Sequence, residues 1–435
     1  MESPPTTAGS GPPPPVWSST ARWNTAEVPS TLPDGEPVPS DGSLPPEALS
    51  TFGRRPFGVY VHVPFCATRC GYCDFNTYTP GELGGAASPD SWAEAARREL
   101  ELAATVLGDG RPVDTVFVGG GTPSLLGADR LVEVLGWIRD TLGLAPDAEV
   151  TTEANPESTS PRFFETLRAG GYTRVSLGMQ SAARHVLAVL DRQHSPGRAA
   201  ASAREARAAG FEHVNLDLIY GTPGETDQDL LASLDTVVEA GVDHVSAYAL
   251  IVEDGTALAR RVRRGDLPAP DDDVLAARYE LLDDTLGRAG FGWYEVSNWA
   301  LTSAGPGARC RHNLGYWTGG DWWGVGPGAH SHVGGVRWWN VKHPARYAGL
   351  LTQGRTPAAG REVLAEADQL VERVLLELRV VDGLPVEVLA GSARAEAEAA
   401  ASEGLLDPAA LRSGRAVLTR RGRLLADGVV RRLVA

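Results

Sequence analysis

The chain has 435 residues, enough for one large domain with one or two smaller ones. Its hydrophobic content of 43% and charged content of 22% are typical of a soluble globular protein. The net charge of −15 argues against a nucleic-acid-binding surface, which needs a dense footprint of Lys and Arg. Because the sequence has no run of about 18 apolar residues and no secretory signal, we expect a cytoplasmic protein without a membrane span.

The beginning of the chain has the composition of a disordered segment. Residues 1–52 contain twelve prolines, many Ser, Thr and Gly residues, and almost no periodic apolar pattern. Such a segment buries too little apolar surface to offset the entropy of ordering. We therefore predict a disordered tail over residues 1–52.

From residue 57 onward, short β-branched runs alternate with helical patterns. The predicted strands are 57–63, 113–119, 149–154, 173–180, 213–221 and 243–250. The predicted helices between them include 90–107, 125–142, 181–190, 198–209 and 227–240. Strands separated by helices of this length form βαβ units and a parallel sheet. The pattern predicts an α/β fold in which residues 53–300 form a partial (β/α)6 barrel, with its site at the carboxyl ends of the strands.

The pattern changes after about residue 300. Seven of the eleven tryptophans lie within residues 293–339, among many glycines, and residues 365–435 have a helical pattern. We therefore predict a separate C-terminal domain over residues 301–435, with mixed α/β structure and a small helical module at its end.

Three of the four cysteines lie close together after the first predicted strand. Cys66, Cys70 and Cys73 have the spacing C-x3-C-x2-C, and thiolates held this closely ligate the irons of one cluster. Zinc usually takes four ligands from paired elements, so a zinc site here needs His62 or the distant Cys310 to fold back. Three thiolates on a [4Fe–4S] cluster leave one iron open, and an open iron is a reaction site.

This cysteine loop resembles that of the radical S-adenosylmethionine (SAM) enzymes. The resemblance implies a [4Fe–4S] cluster whose open iron binds SAM, a cofactor that supplies an adenosyl radical while the protein orients it. It also implies SAM contacts at successive strand ends. Carried onto this sequence, they are Tyr60, Tyr72, Gly120, Gly121, Thr122, Glu153, Gln180, Arg192, Asp217 and Ala249.

Several of these positions have a second interpretation. The glycines of GGGT (119–122) allow close backbone approach and offer N–H groups to a carboxylate, but such turns also serve tight βα connections. Glu153 suits either the SAM ammonium or the N-terminus of the next helix. Asp217 lies in an apolar strand and needs a partner, either a ribose hydroxyl or Arg192.

A longer set of motifs narrows the resemblance. YVHVPFC, GGGTP, EANPE, SLGMQS, NLDLIYG and HNLGYW together resemble oxygen-independent coproporphyrinogen III oxidase and its relatives, the radical-SAM haem chaperones, over residues 57–435. The oxidase signature ends in a fourth cysteine, where this chain and the chaperones have phenylalanine. Phe75 removes that thiol, and we expect its side chain to pack. The proline-rich tail does not resemble the N-terminal extension of the oxidase.

The segment RHNLGYW (311–317) carries a motif that the chaperone family links to haem binding. The resemblance implies haem contacts from His312, Asn313, Tyr316 and Trp317. From the residues alone, a structural histidine beside an aromatic core patch is the favoured interpretation, and only the resemblance makes haem binding its equal. Cys310 is interpreted as an inert buried thiol rather than a ligand.

The favoured hypothesis is a haem chaperone that binds haem, SAM and one [4Fe–4S] cluster and delivers the haem to an acceptor protein. One alternative is a coproporphyrinogen III oxidase that decarboxylates propionates to vinyls. Another is an interaction module whose cluster is structural or a redox relay. The sequence identifies neither the acceptor nor the electron donor, and it leaves open SAM cleavage, covalent haem attachment and a homodimer.

Overall fold

The computed structural model describes residues 35–83, 87–108, 110–192 and 195–434. The first part of the predicted tail, residues 1–34, lies outside these ranges. The strands are β1 Phe57–Val63, β2 Val113–Gly120, β3 Leu144–Ala154, β4 Arg174–Gln180, β5 His213–Tyr220, β6 His244–Ala249, β7 Phe291–Glu295, β8 Asn298–Leu301, β9 Asp321–Val325, β10 His330–Val333, β11 Val336–Asn340, β12 Ala358–Val363, β13 Leu384–Pro385 and β14 Arg415–Ala416.

Helices cover much of the remaining described chain. They are α1 Pro46–Thr51, α2 Pro89–Leu107, α3 Ala128–Leu142, α4 Pro161–Gly170, α5 Arg184–Val189, α6 Arg198–Ala208, α7 Asp227–Ala240, α8 Ala257–Arg263, α9 Asp272–Arg288, α10 Arg311–Trp317, α11 Pro344–Thr352, α12 Glu366–Glu377, α13 Ser392–Ser402, α14 Pro408–Arg412, α15 Arg420–Leu424 and α16 Ala426–Val434. Within the ranges given above, none of these helices combines the length and the apolar character needed to cross a membrane.

Strands β1 to β6 form the predicted partial barrel. Each pairs in parallel with the next along the chain. All six predicted strands are confirmed, and their observed bounds differ from the predicted ones mainly at β3, which begins earlier. Val59, Val61 and Val63 of β1 are completely buried, as expected for a strand covered on both faces. Parallel pairing places the carboxyl ends of all six strands at one edge of the sheet.

Local sequence signals explain where the barrel helices begin. Ser88 caps α2 and forms a reciprocal capping box with Ser91. Thr226 and Asp229 make the same arrangement at the start of α7. These caps satisfy backbone N–H groups that have no partner inside the helix, which fixes the start of each helix next to its strand.

The sheet continues on both sides of the barrel strands. Strand β9 pairs in parallel with β1, and β10, β11 and β12 extend that side in antiparallel order. Strands β8 and β7 extend the other side beyond β6. The strands after residue 250 are not among the predicted ones. The predicted domain boundary at residue 300 stays a prediction, and one sheet contains strands from both sides of it.

The end of the chain has a core of its own. Helices α12, α13 and α16 bury a set of apolar side chains that includes Val374, Leu378, Leu406, Leu418 and Val430. This agrees with the helical pattern that the sequence shows over residues 365–435.

The segment before β1 is ordered from residue 35. Glu36 and Arg361 exchange backbone hydrogen bonds and form an ion pair with 2.7 Å between Oε1 and Nε. Ala48 of α1 is buried, and its backbone lies so close to Gly334 that a Cβ there would collide with it. The prediction of disorder is therefore wrong for residues 35–52, because these contacts supply the missing burial.

A buried carboxylate joins the barrel to the strands that follow it. Glu99 of α2 accepts hydrogen bonds from the backbone N–H of Gly326 at 2.8 Å, from Asn340 Nδ2 at 2.7 Å and from the Tyr347 hydroxyl at 2.5 Å. Burial raises the pKa of Glu99 to about 7, while these three bonds oppose that shift. One side chain thus fixes three segments of the C-terminal half to α2.

We predict that Glu99→Ala lowers the free energy of unfolding by about 3 kcal/mol, because it leaves several buried donors without an acceptor. Urea denaturation followed by circular dichroism measures the change. Glu101→Ala on the same helix is the matched control, since Glu101 is exposed and pairs with Arg97 only. Equal destabilisation by the two substitutions would contradict the assigned role of Glu99.

Candidate functional site

A cavity of about 850 Å³ opens at the carboxyl ends of the parallel strands. The cysteine loop that follows β1 and the ends of β2 to β6 form its wall. The wall contains all of the predicted SAM contacts except Tyr60: Tyr72, Gly120, Gly121, Thr122, Glu153, Gln180, Arg192, Asp217 and Ala249. The hydroxyl of Tyr60 is instead hydrogen-bonded to Nδ1 of His62 at 3.0 Å, beneath the cysteine loop.

The three clustered cysteines lie together on the wall of this cavity as free thiols. Thr122 Oγ1 donates a hydrogen bond to the sulfur of Cys66 over 3.6 Å, and Arg192 Nη1 donates one to the sulfur of Cys70 over 3.4 Å. Such donors stabilise thiolates that bind a cluster. The donor set, the shared cavity wall and these contacts fit a [4Fe–4S] cluster.

Two of the three clustered thiols, Cys66 and Cys73, are poor acids in the free chain. Burial raises the pKa of Cys66, and it raises the pKa of Cys73 to about 11. Both are protonated at neutral pH, so binding of iron must displace their protons. Among the residues that the structure describes, no three His, Cys, Asp or Glu side chains are arranged around a single ion. In a four-iron cluster, by contrast, each thiolate binds a different iron.

The cysteine loop is fixed from below and from one side. His62 Nε2 is hydrogen-bonded to the carbonyl of Asn76 at 2.9 Å, beneath the loop. The side-chain amide of Asn76 donates to the carbonyls of Pro327 and Lys342 at 2.9 and 2.8 Å. The backbone N–H of Cys66 donates to the carbonyl of Tyr78 at 3.0 Å. The C-terminal strands therefore hold the loop in place.

The glycine-rich turn after β2 lies directly against this loop. The backbone N–H groups of Gly121 and Thr122 donate to the carbonyls of Val63 and Phe65, at 2.7 and 2.8 Å. A Cβ on Gly121 would lie 2.6 Å from the Phe65 oxygen, so no larger residue fits there. The idea that these N–H groups bind a carboxylate ligand is not supported, because protein carbonyls already accept them.

Two carboxylates occupy the cavity wall across from the cysteines. Glu153 accepts a hydrogen bond from the N–H of Gly120 at 3.1 Å, and burial together with the nearby Asp217 raises its pKa to about 8. Asp217 accepts from Ser176 at 3.1 Å and from Asn215 at 2.6 Å, and burial raises its pKa as well. Ser176 and Asn215 are therefore the hydrogen-bond partners of Asp217, although a ribose hydroxyl or Arg192 was expected.

The chain has an unusual backbone at the end of β4 and again just after α5. Gln180 and Asp191 both adopt left-handed conformations, with φ of 67° and 53°, which non-glycine residues rarely do. A Cβ on Gly178 would lie 2.7 Å from Arg192 Nη2, so the glycine lets the guanidinium approach the strand. The Nε of Arg192 is buried on the cavity wall and has no hydrogen-bond partner among the residues that the structure describes. This donor is suited to an acceptor on a bound molecule.

Phe75 does not pack into the protein. Its side chain is 61% exposed at the edge of the cavity, two residues after Cys73. The expectation that Phe75 packs is therefore wrong, since the cysteine loop presents it to solvent beside the cavity.

The HNxxYW motif lies at the opposite end of the barrel strands. His312 of α10 is buried, and its Nδ1 is hydrogen-bonded to Thr115 Oγ1 at 2.8 Å, near the start of β2. Its Nε2 is hydrogen-bonded to the Tyr316 hydroxyl at 2.8 Å, and its ring stacks on Phe117. From Thr115 to Gly120, strand β2 rises roughly 17 Å. The motif histidine and the cysteine loop are thus at different ends of the barrel.

The other motif residues are also engaged within the protein. Tyr316 contacts the ring of Trp322 edge-on at 4.7 Å. Burial raises the pKa of Glu295 to about 7, and a side-chain hydrogen bond from Trp317 is among the contacts that oppose this shift. Asn313 reaches the floor of the large cavity. His312 and Tyr316 instead line a second cavity of about 370 Å³ at the amino ends of β1 and β2.

A buried ion pair that the sequence analysis missed holds this motif. Arg174 Nε lies 3.3 Å from Glu149 Oε2, and Arg174 Nη2 donates to three consecutive carbonyls of residues 307–309. Glu149 accepts the N–H groups of Arg311 and His312, each at 3.1 Å, and the thiol of Cys310 at 3.5 Å. An arginine at the start of the apolar strand RVSLGMQ was the available signal.

Comparison with known proteins agrees with this geometry. The Radical SAM superfamily profile matches residues 60–237. A Mycobacterium tuberculosis protein named "Heme chaperone HemW" is 64% identical over 386 residues, which cover 89% of this chain and 97% of the relative. The chain belongs to the HemW family of radical SAM proteins. The Escherichia coli protein of the same name is 35% identical over 77% of this chain and 86% of the relative.

Among solved structures, coproporphyrinogen III oxidase (HemN) from Escherichia coli has a similar fold. It superimposes with a TM-score of 0.75 and 23% sequence identity, over 89% of this chain and 92% of that one. At this identity the similarity establishes the radical SAM α/β fold, and it leaves the reaction undecided. The α/β fold that the sequence predicts for this member of the HemW family is thereby confirmed.

We predict that Cys73→Ser abolishes cluster binding, because one iron loses its thiolate. After anaerobic reconstitution with iron and sulfide, iron content and visible absorbance should fall close to background. Cys310→Ser is the matched control, since Cys310 is buried beside Glu149 at the other end of the strands. A normal cluster in Cys73→Ser, or its loss in Cys310→Ser, would overturn the assignment.

We also predict that His312 makes stability depend on pH. Burial lowers its pKa from 6.5 to about 4, so between these values the unfolded chain binds the extra proton. The stability that neutral His312 contributes is fully present above the pKa of 6.5 in the unfolded chain. It is lost as the pH falls toward the pKa of about 4 in the folded chain. Between about pH 7 and about pH 5, wild type should lose about 2 kcal/mol more than His312→Gln in urea unfolding. Parallel losses in both chains would contradict this.

Proposed function

We propose that this chain is a cytoplasmic haem chaperone, which binds haem and delivers it to an acceptor protein. The observation that carries the proposal is the 64% identity, over nearly the whole length, to a relative named "Heme chaperone HemW". Phe75 supports it, because this residue stands where the resembling oxidases have a fourth cysteine. A homodimer stays a prediction.

We assign Cys66, Cys70 and Cys73 to a [4Fe–4S] cluster, which when bound supplies an open iron for SAM and an electron for its cleavage. Thr122 and Arg192 stabilise the thiolates through the hydrogen bonds described above. The hydrogen bonds from protein donors keep this part of the cavity wall preorganised before any cofactor binds.

The two carboxylates of the wall are assigned to polar groups of SAM. Glu153, whose pKa is raised to about 8, becomes fully ionised when an ammonium group binds beside it. Ser176 and Asn215 hold Asp217 in one orientation, in which its remaining acceptor capacity faces the cavity and a ribose hydroxyl.

Ligation of haem iron by His312 stays a prediction. Both of its ring nitrogens already have partners, so it can bind iron only after one of them releases Thr115 or Tyr316. The other motif residues would have to rearrange together with His312, because α10 carries them as well. They are Asn313, Tyr316 and Trp317.

The proposal predicts that the reconstituted protein binds about one haem per chain and does not form protoporphyrinogen. Haem titration by absorbance and transfer to apomyoglobin measure binding and release. The same sample, supplied with coproporphyrinogen III, SAM and a reductant, tests decarboxylation. Turnover without haem binding would make the chain an oxidase, and absence of both activities would favour an interaction module.

A further inference from the structure

We propose that haem binds across the mouth of the large cavity, with one face of the macrocycle against Phe75. This inference rests on the proposed function and adds a location for the haem that differs from the HNxxYW motif. It is carried by a set of exposed apolar side chains that surround the opening.

Among the residues that the structure describes, one phenyl and three large aliphatic side chains line the cavity and remain exposed at its edge. The exposed fractions are 61% for Phe75, 51% for Ile251, 43% for Leu125 and 40% for Val296. We call these four residues the apolar rim. Single exposed apolar residues are common on protein surfaces, but a group around one opening marks a binding site.

The apolar rim lies on both sides of the opening. Phe75 and Leu125 follow strands β1 and β2. Ile251 follows β6, and Val296 lies in the turn that bonds to β6 through Ser297 O and Ala247 N at 2.8 Å. Strands β1 and β6 are the first and last of the six and do not pair with each other, so the barrel is open between them. A flat molecule across that gap contacts apolar groups on both sides.

Haem has the shape and polarity that this opening requires. Its macrocycle is broad, flat and apolar on both faces, and a phenylalanine ring offers a flat apolar surface to stack on. Burial of such area contributes about 25 cal/mol per Å², and an aromatic pair adds about 1 kcal/mol. A cysteine in place of Phe75 would supply much less of this contact.

The cavity beside the HNxxYW motif is a poorer site for a macrocycle. Its volume is about 370 Å³, against about 850 Å³ for the large cavity. Arg111 and Arg311, which could attract propionates there, are paired with Asp114 and Asp147. The ring nitrogens of His312 are occupied as well.

The charged groups at the mouth predict the orientation of the haem. Asp74 is exposed next to Phe75, and burial together with the nearby negative charge of Asp74 raises the pKa of Glu253. Arg69 lies on the same wall but forms an ion pair with Glu82. The two acidic groups repel propionates, so the propionate edge points away from them, and removal of one acid should strengthen binding.

Haem titrations of full-length reconstituted variants test this location. Phe75→Ala is expected to raise the dissociation constant about tenfold, whereas Phe75→Tyr, which keeps a flat ring, stays within about twofold of wild type. Asp74→Asn is expected to lower the haem dissociation constant about twofold. The matched control is Leu370→Ala, because Leu370 is 48% exposed on α12 and does not line the cavity.

Iron content and circular dichroism show whether each variant keeps its cluster and fold. If the wild type binds haem and both Phe75→Ala and Asp74→Asn bind it with the same dissociation constant, the haem lies elsewhere. The proposed function would then stand. A wild-type chain that binds no haem would overturn the function and the location together. Equal weakening by Phe75→Ala and Leu370→Ala would also reject the location.

Discussion

The buried pair of Glu149 and Arg174 closes one end of the barrel, and the rest of the arrangement depends on it. Glu149 accepts hydrogen bonds from the first N–H groups of α10, and Arg174 donates to the three carbonyls just before that helix. Loss of either partner leaves an unpaired buried charge, at a cost of about 3–5 kcal/mol. Arg174 also lines the large cavity, so this pair forms part of the floor of the cavity that opens at the carboxyl ends of the strands.

The open end is organised by contacts from distant parts of the chain. Asn76 ties the cysteine loop to carbonyls near residues 327 and 342, and Glu99 ties the same C-terminal strands to α2. The loop thus has a fixed shape before iron binds, and little conformational entropy is lost on cluster assembly. A rigid loop also fixes the position of Phe75 relative to the cluster.

The barrel and most of its wall could be predicted from the sequence, because β-branched runs and polar strand ends are local signals. The cysteine spacing is a local signal too, and the structure brings the three cysteines together on one cavity wall. Long-range contacts had no local signal: the tail segment with Glu36 is ordered by Arg361, more than 300 residues away. His312 illustrates the limit best, since its partner Thr115 lies 197 residues earlier, on a strand that no motif connects with it.

The pairing of β1 with β9 has a consequence for synthesis of the chain. Strand β1 is central in the finished sheet, yet its partner β9 begins at Asp321. At usual translation rates, on the order of tens of seconds pass before that strand leaves the ribosome. Until then β1 exposes one unpaired strand edge, which is a template for aggregation. Shielding of this edge by general folding factors would therefore favour folding over aggregation until β9 has emerged.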